Sequence, residues 1–192
     1  MARFTLKKAV PAWAALFAIC AVCAILLACT FNVTKAPIAR QEASAAESAR
    51  KSVMSAAERF EEIELPPDGA VKSLYLGTAG GETVGYVAVV TAKGYGGEVE
   101  VTVGVDTDGK VTGISVGGAN FSETAGLGAK SKEPAFTDQF AGRETPLRVI
   151  KAGGAKADDT VDAITSATIT STAVTNAVNA AGECVKAVLA EK

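Results

Sequence analysis

"GEVEVTVGVDTDGKVTGISVGG", residues 97–118, alternates apolar and polar side chains on both sides of Asp106-Thr107-Asp108-Gly109. This combination predicts two antiparallel strands joined by a tight turn. The same four residues resemble the start of a calcium-binding loop, but Val111 and Gly113 stand where further oxygen ligands would be needed. The stretch therefore indicates a β-hairpin.

The alternation continues towards the N-terminus in residues 71–78, "VKSLYLGT", and 83–92, "TVGYVAVVTA". Together with the hairpin, these segments predict an antiparallel meander with one buried face. Residues 147–152 predict another strand, and residues 169–192 predict a helix with one apolar side. The loop-rich segment 120–146 is too long for a simple connection, and such loops tend to carry function. The expected fold is α+β, an antiparallel sheet packed by helices.

An uncharged, apolar run extends from Ala9 to Thr34 and exceeds the ~20 residues that cross a bilayer as a helix. Three basic residues precede it and two follow closely, which places the N-terminus in the cytoplasm and the rest of the chain outside the cytoplasmic membrane. A cleaved signal peptide would have a shorter apolar run. "LLAC", ending at Cys29, resembles a lipoprotein cleavage site, but the apolar run continues past it. An uncleaved, single-pass anchor in segment 1–34 is the favoured interpretation.

Residues 35–63 are rich in Ala, Glu, Arg and Ser, and their apolar residues recur at helical spacing. They predict one connecting helix that reaches Ile63 and stops at "PPDG", residues 66–69. We therefore divide the chain into an anchor (1–34), a connecting helix with linker (35–69) and an exterior domain (70–192).

The composition excludes several kinds of chemistry. The chain has 19 basic and 21 acidic residues, so nothing indicates nucleic-acid binding. It has no histidine, and three of its four cysteines, Cys20, Cys23 and Cys29, lie in the apolar run, where small buried side chains are the simplest interpretation. We expect no metal site and no catalytic side chain, so redox chemistry would require an organic cofactor.

"DAITSATITSTAV", residues 162–174, holds six hydroxyl side chains and leads into the C-terminal helix. Ser and Thr commonly cap a helix by accepting hydrogen bonds from its first backbone amides. The same amides and the helix dipole also provide a place for an anionic group. The residues themselves leave both interpretations open.

Residues 162–168, "DAITSAT", resemble the D-x-x-[S/T]-G-A-[T/S] signature of the flavin mononucleotide (FMN)-binding domain. In that family a dedicated flavin transferase attaches FMN covalently to the last hydroxyl. The resemblance implies that Thr168 holds FMN through a phosphoester bond. Ser166 stands where glycine is usual, which matters if this position needs a backbone angle that serine adopts poorly.

Two further stretches resemble the same family, in the same order along the chain: residues 94–97 resemble "GYGG", and residues 123–128, "ETAGLG", resemble "ETPGLG" with Ala125 in place of proline. The paired glycines suggest a close approach of the backbone to a ligand. The cofactor-binding residues that the resemblance implies are Gly94, Tyr95, Gly96, Gly97, Glu123, Thr124, Gly126, Leu127, Gly128, Asp162, Thr165, Ser166, Ala167, Thr168 and Thr170.

The chain most resembles the G subunits of Rnf-type electron-transport complexes, which are related to the C subunits of the sodium-pumping NADH:quinone reductases. The resemblance implies an electron-carrying flavoprotein of a ferredoxin:NAD oxidoreductase coupled to sodium-ion or proton translocation. It also implies membrane, iron–sulfur and flavin subunits as partners. A stripe of small residues in the anchor is suited to close helix packing against them. The alternatives are a stand-alone membrane-anchored flavoprotein and an exterior binding lipoprotein without redox chemistry.

Overall fold

A computed structural model describes residues 11–65, 70–151, 153–155 and 157–190. The basic residues before the anchor and the "PPDG" linker lie outside these ranges. The elements are α1 (Ala12–Val53), β1 (Arg59–Ile63), β2 (Val71–Ala79), β3 (Glu82–Lys93), β4 (Glu98–Asp106), β5 (Val111–Gly117), α2 (Pro134–Thr137), β6 (Arg148–Ile150), β7 (Thr160–Asp162) and α3 (Thr168–Ala190). The boundary between two compact units falls between Ala43 and Ser44, within α1.

The first five strands form an antiparallel sheet in the order β1-β2-β3-β4-β5, which confirms the predicted meander. In the β4–β5 turn, the Asp106 carboxylate accepts hydrogen bonds from the backbone N–H groups of Asp108 (3.0 Å) and Lys110 (2.8 Å). The aspartate that suggested a calcium loop therefore stabilises the hairpin. The predicted strand β6 is also present, and it pairs in parallel with the short strand β7, which had not been predicted.

One face of the sheet packs against α3. Val174, Val178, Ala181 and Val185 of this helix are fully buried and contact the inward-facing side chains of β3, β4 and β5. Their spacing is that of one side of a helix, as expected from the sequence. The packing fixes the N-terminal end of α3 relative to the sheet, and the predicted α+β fold is confirmed.

The opposite face of the sheet is also covered, so the prediction of a single buried face is wrong. Four glycines on four adjacent strands leave a shallow depression, which we call the glycine groove: Gly77, Gly85, Gly104 and Gly113. Val53 and Met54 lie in this groove and are each only 3% exposed. The Val53 carbonyl accepts a hydrogen bond from the Thr112 hydroxyl.

The predicted connecting helix does not reach Ile63. The helix ends at Val53, and residues 59–63 form β1, which pairs with β2. Phe60 and Ile63 are three residues apart, a spacing that suggested a helix, but both pack as partly buried residues of an edge strand. The chain leaves the helix here because Val53, Met54 and Ala57 are buried against the sheet.

The N-terminal part of α1 is long and apolar enough to cross a membrane, with a mean hydropathy of 2.7 over 18 residues. Its large apolar side chains are exposed, Trp13 at 74% and Leu27 at 71% for example. The hydroxyls of Thr30 and Thr34 donate to the carbonyls four residues earlier, each at 2.9 Å, so these polar groups are satisfied within the helix. A bilayer is the environment that suits such a surface.

Candidate cofactor site

The site lies at the start of α3, where Thr168 is the first helical residue and is exposed. The N–H groups in the first turn of a helix have no intrahelical acceptors and face outward along the axis. None of the residues in the first turn is acidic. An anionic group attached at Thr168 would therefore meet unpaired donors and the positive end of the helix dipole.

Ser171 ties the turn before α3 to the helix. Its fully buried hydroxyl accepts a hydrogen bond from the Ile164 N–H (3.0 Å) and donates one to the Ala167 carbonyl (2.9 Å). The Ala167 N–H in turn donates to the Ile164 carbonyl (2.9 Å). These contacts fix the backbone just before Thr168. Sequence reasoning missed this role, because Ser171 is one of six hydroxyls in the run.

Ser166 has a left-handed backbone, with φ of 62°, and is the only described residue other than glycine with positive φ. The position where the family signature has glycine thus has the conformation that glycine adopts most easily. The reason for expecting a glycine there is confirmed by the geometry. In this chain serine occupies the conformation at a cost.

A cleft of about 290 Å³ opens beside the start of α3. Its lining comes from the glycine-rich turn (residues 94–97), the loop after β5, the signature segment and the first turn of α3: Tyr95, Glu123, Thr124, Leu127, Gly128, Ser166, Ala167, Ile169 and Thr170. Among the described residues from 44 onward, the exposed large apolar side chains are Tyr95 (72%), Leu127 (41%) and Ile169 (57%). All three line this cleft, which gives it an apolar rim.

Glu123 connects the walls of the cleft. Its Oε1 accepts hydrogen bonds from the backbone N–H groups of Tyr95 (2.8 Å) and Gly96 (3.2 Å). Its Oε2 accepts a hydrogen bond from the Thr170 hydroxyl (3.0 Å) in the first turn of α3. Three segments that are far apart in the sequence therefore meet at one carboxylate.

The glycines of the predicted site serve different purposes. Gly126 has φ of 77° in the turn that Thr124 closes by accepting the Leu127 N–H at 3.1 Å. A Cβ at Gly94 or Gly128 would overlap an oxygen of the Glu123 carboxylate. At these two positions glycine makes room for a side chain of the protein itself, rather than only for a ligand. Gly97 lies at the end of the same turn, where its carbonyl accepts the Gly94 N–H at 2.8 Å.

Asp162 and Thr165 are not in the apolar cleft. They line a second cleft of about 460 Å³, which includes Lys130, Glu133 and Gln139 beside apolar residues such as Phe136 and Ile164. The Gln139 side chain accepts a hydrogen bond from the Asp162 N–H (2.8 Å) and donates to its carbonyl (3.4 Å). Eight of the predicted residues line the apolar cleft, and Asp162 and Thr165 line the second one. Gly94, Gly96, Gly97, Gly126 and Thr168 line neither, although Thr168 lies between Ala167 and Ile169 of the apolar cleft. Ile169 and Gln139 are site residues that sequence reasoning did not name.

Comparison with known proteins agrees with this description. Residues 94–183 match the family model described as "FMN-binding domain". The match begins at the glycine-rich turn and includes the cleft and most of α3, so the fold and the site together define a protein with an FMN-binding domain.

The most informative relatives are the G subunits of membrane complexes. The chain is 37% identical to that of the Na⁺-translocating ferredoxin:NAD⁺ oxidoreductase complex of Acetobacterium woodii, over 85% of each chain. It is 32% identical to the proton-translocating counterpart from Clostridium ljungdahlii, covering 85% of this chain and 84% of that one. It is 35% identical to the G subunit of the ion-translocating oxidoreductase complex of Methanosarcina acetivorans, covering 88% and 90% respectively. The chain belongs to the family of G subunits of ion-translocating oxidoreductase complexes.

Two solved structures share the fold. The C subunit of the Na⁺-translocating NADH-quinone reductase from Parabacteroides distasonis is 27% identical, with a TM-score of 0.50, over 57% of this chain and 59% of that one. NqrC from Shewanella oneidensis is 20% identical, with a TM-score of 0.55, over 73% and 74% respectively. The second likeness concerns the fold alone.

Proposed function

We propose that this protein carries FMN joined through a phosphoester to Thr168, with the ring in the apolar cleft. The observation that carries the proposal is the placement of Tyr95, Leu127 and Ile169, the large exposed apolar side chains among the described residues from 44 onward. They surround a cleft whose lining residues Ala167 and Ile169 flank the exposed Thr168. An aromatic ring suits that rim, and a phosphate suits the helix start next to it. The residues present therefore fit both parts of the cofactor.

In the proposed function, the residues of this chain bind the cofactor and orient it. Thr168 provides the attachment oxygen, and the backbone amides in the first turn of α3 that have no intrahelical acceptor favour the negative charge of the phosphate. Glu123, Thr124 and Gly128 form the polar side of the cleft, while the apolar rim excludes water from the ring. When bound, FMN supplies single-electron chemistry that none of the side chains provides. No independent turnover of a substrate is expected.

We further propose that the chain transfers electrons within an ion-translocating ferredoxin:NAD oxidoreductase, a translocase. Support comes from relatives that cover most of the chain and are named as subunits of such complexes. Partners would be the other membrane, iron–sulfur and flavin subunits, and a flavin transferase for maturation. One relative is named as sodium-translocating and another as proton-translocating. The described part of α1 that suits a membrane has no ionisable side chain before Lys35 except cysteines, so the ion path belongs to partner subunits.

We place the protein in the cytoplasmic membrane as a single-pass subunit, with its N-terminus in the cytoplasm and the FMN domain on the exterior. A covalent tether has a clear advantage there, because a dissociated cofactor would be lost from the cell. An uncleaved anchor keeps Cys29 as an ordinary side chain of α1.

The test is to express the full chain with a flavin transferase and compare wild type with Thr168→Val. We expect flavin fluorescence under ultraviolet light at the protein band of a denaturing gel for wild type, and none for Thr168→Val. Thr172→Val is the matched control, because Thr172 is exposed one turn further along α3 and should leave fluorescence unchanged. Fluorescence that survives in Thr168→Val would contradict the attachment site.

Two further results distinguish the alternatives. A wild-type chain that never becomes fluorescent would favour a binding lipoprotein without redox chemistry. A fluorescent chain that purifies from its host without other complex subunits would favour a stand-alone flavoprotein.

A further inference from the structure

The glycine-rich turn and the start of α3 are held together through the side chain of Glu123. Tyr95 and Gly96 are 28 and 27 residues away from it, and Thr170 is 47 residues away. One carboxylate oxygen accepts hydrogen bonds from the glycine-rich turn, and the other accepts one from the first turn of α3. Charge-assisted hydrogen bonds of this kind are stronger than bonds between neutral groups.

Two neighbouring glycines leave space that this carboxylate occupies. A Cβ at Gly94 would overlap Glu123 Oε1 and lie 2.8 Å from Val99 Cγ2, and a Cβ at Gly128 would overlap Oε2 and lie 2.8 Å from Thr170 Oγ1. Ser122 adds a further tie, because its hydroxyl donates to the Gly96 carbonyl at 2.7 Å. The turn is therefore attached to residues 122–123 at three points.

We propose that Glu123 is a positioning residue for the flavin: its carboxylate locks the Tyr95 wall to the first turn of α3, and Gly94 and Gly128 are glycines because that carboxylate occupies their Cβ space. The inference rests on the proposed function for the identity of the ligand. It goes beyond ring contact, because it assigns Glu123 to the geometry of the cleft in the protein without cofactor as well.

The structural effect of the Glu123 side chain and the effect of its negative charge can be separated by substitution. Glu123→Gln keeps the size of the side chain and one oxygen for the Tyr95 and Gly96 amides, but removes the charge. Glu123→Asp keeps the charge but is one methylene too short to reach both walls. Glu123→Ala removes both. If the reach of the side chain matters, Glu123→Gln should behave most like wild type. If the charge matters, Glu123→Asp should.

The first measurement uses the full chain in detergent, made without flavin transferase. Hydrogen exchange of the peptide that contains residues 94–97 reports the bonds to Glu123 directly. We expect Glu123→Ala to accelerate exchange of the Tyr95 and Gly96 amides about tenfold, as loss of a charge-assisted hydrogen bond implies. Glu123→Gln should retain most of the protection.

A double-mutant cycle tests the assignment of the glycines. Gly94→Ala should accelerate the same exchange in the wild-type background, because its Cβ displaces the carboxylate. In the Glu123→Ala background its effect should be smaller but not absent, because the new Cβ also lies 2.8 Å from Val99 Cγ2, so the two effects are less than additive. Gly117→Ala is the matched control, since a Cβ there meets nothing within 4 Å, and it should leave exchange unchanged.

The second measurement uses the flavinylated chain. Flavin fluorescence anisotropy should fall in Glu123→Ala and Glu123→Asp, and stay near wild type in Glu123→Gln, because it follows the rigidity of the cleft. The midpoint potential should become more positive in Glu123→Gln and Glu123→Ala but not in Glu123→Asp, because a nearby negative charge opposes reduction of the ring.

The outcomes separate this proposal from the proposed function. A wild-type chain that carries no flavin after expression with the flavin transferase would overturn the proposed function. The hydrogen-exchange double-mutant cycle in the cofactor-free chain would still decide whether Glu123 holds the two walls of the cleft together. A flavinylated Glu123→Ala chain with wild-type anisotropy would overturn the positioning role. Additive effects of Gly94→Ala and Glu123→Ala on exchange would overturn the assignment of the glycines.

Discussion

Ser166 keeps a left-handed backbone in the turn that precedes Thr168, with φ of 62°. For a residue with a Cβ this conformation costs roughly 1–2 kcal/mol. Glycine removes that cost but loses part of the gain to the greater entropy of the unfolded chain. We therefore expect Ser166→Gly to raise the free energy of unfolding by about 1 kcal/mol, measured by denaturant unfolding of the chain made without flavin transferase.

Ser166→Ala is the control for this prediction, because it removes the hydroxyl and keeps the Cβ. It should give no stabilisation. If both variants stabilise the protein equally, the hydroxyl rather than the backbone angle is the source of the cost. We also expect Ser166→Gly to be flavinylated at least as completely as wild type, because the turn before Thr168 is then relaxed.

A run of hydroxyls at a helix start could be predicted from the sequence, because helix starts attract hydroxyls and anions in any protein. Thr168, Thr170 and Glu123 were named as site residues only because their segments resemble a known family. Gln139 could not be named, because its partner Asp162 is 23 residues away and only the packed loop brings them together. Likewise, nothing in the run of hydroxyls distinguishes buried Ser171 from exposed Thr172.

The end of α1 and the glycine groove form one packed element, and two groove positions differ in how closely they approach it. A Cβ at Gly104 would collide with the carbonyl oxygen of Val53, a main-chain atom that cannot rotate away. A Cβ at Gly113, its cross-strand partner, would lie 3.5 Å from the Val53 Cα, which is an ordinary contact. We expect Gly104→Ala to destabilise the protein by about 1–3 kcal/mol, as overpacking does.

Gly113→Ala should be neutral or slightly stabilising, because alanine is less flexible than glycine in the unfolded chain. The measurement is denaturant unfolding of both variants under the same conditions, followed by a signal from the sheet. Equal destabilisation by the two substitutions would mean that the groove does not hold the Val53 main chain as described.

Sequence periodicity failed at this element for a physical reason. Val53 and Ala57 are four residues apart and both are buried, which a helix pattern explains. The burial instead comes from the depression that four distant glycines create in the sheet. The alternating strands β2 to β5 were predictable because each strand carries its own pattern of period two. The pairing of β1 with β2 depends on tertiary contacts that its five residues do not encode.

The molecule as a whole combines an apolar helix with exposed side chains and a compact domain whose exposed large apolar residues, among those described from 44 onward, surround one cleft. We expect the apolar helix to lie in the membrane and the apolar residues around the cleft to face a cofactor. The order of the three glycine- and hydroxyl-rich segments along the chain made the site recognisable. Their meeting at Glu123 needed the fold, because the sheet and α3 set the distances.

Orientation in the membrane is tested in intact spheroplasts with cysteine substitutions that are added one at a time to the native chain. Thr172→Cys is suitable because Thr172 is exposed on α3. The native Cys184 interferes little: burial raises the pKa of its thiol, and only the thiolate reacts at a useful rate. We expect a membrane-impermeant maleimide at neutral pH to label Thr172→Cys.

Thr5→Cys, before the apolar run, should react only after the membrane is opened, because we place the N-terminus in the cytoplasm. The wild-type chain measures the background from the native cysteines, and peptide mass spectrometry assigns each label. The reverse pattern, with Thr5→Cys labelled in intact spheroplasts and Thr172→Cys protected, would place the cleft on the cytoplasmic side. In that case the covalent tether would need another explanation than retention of a cofactor outside the cell.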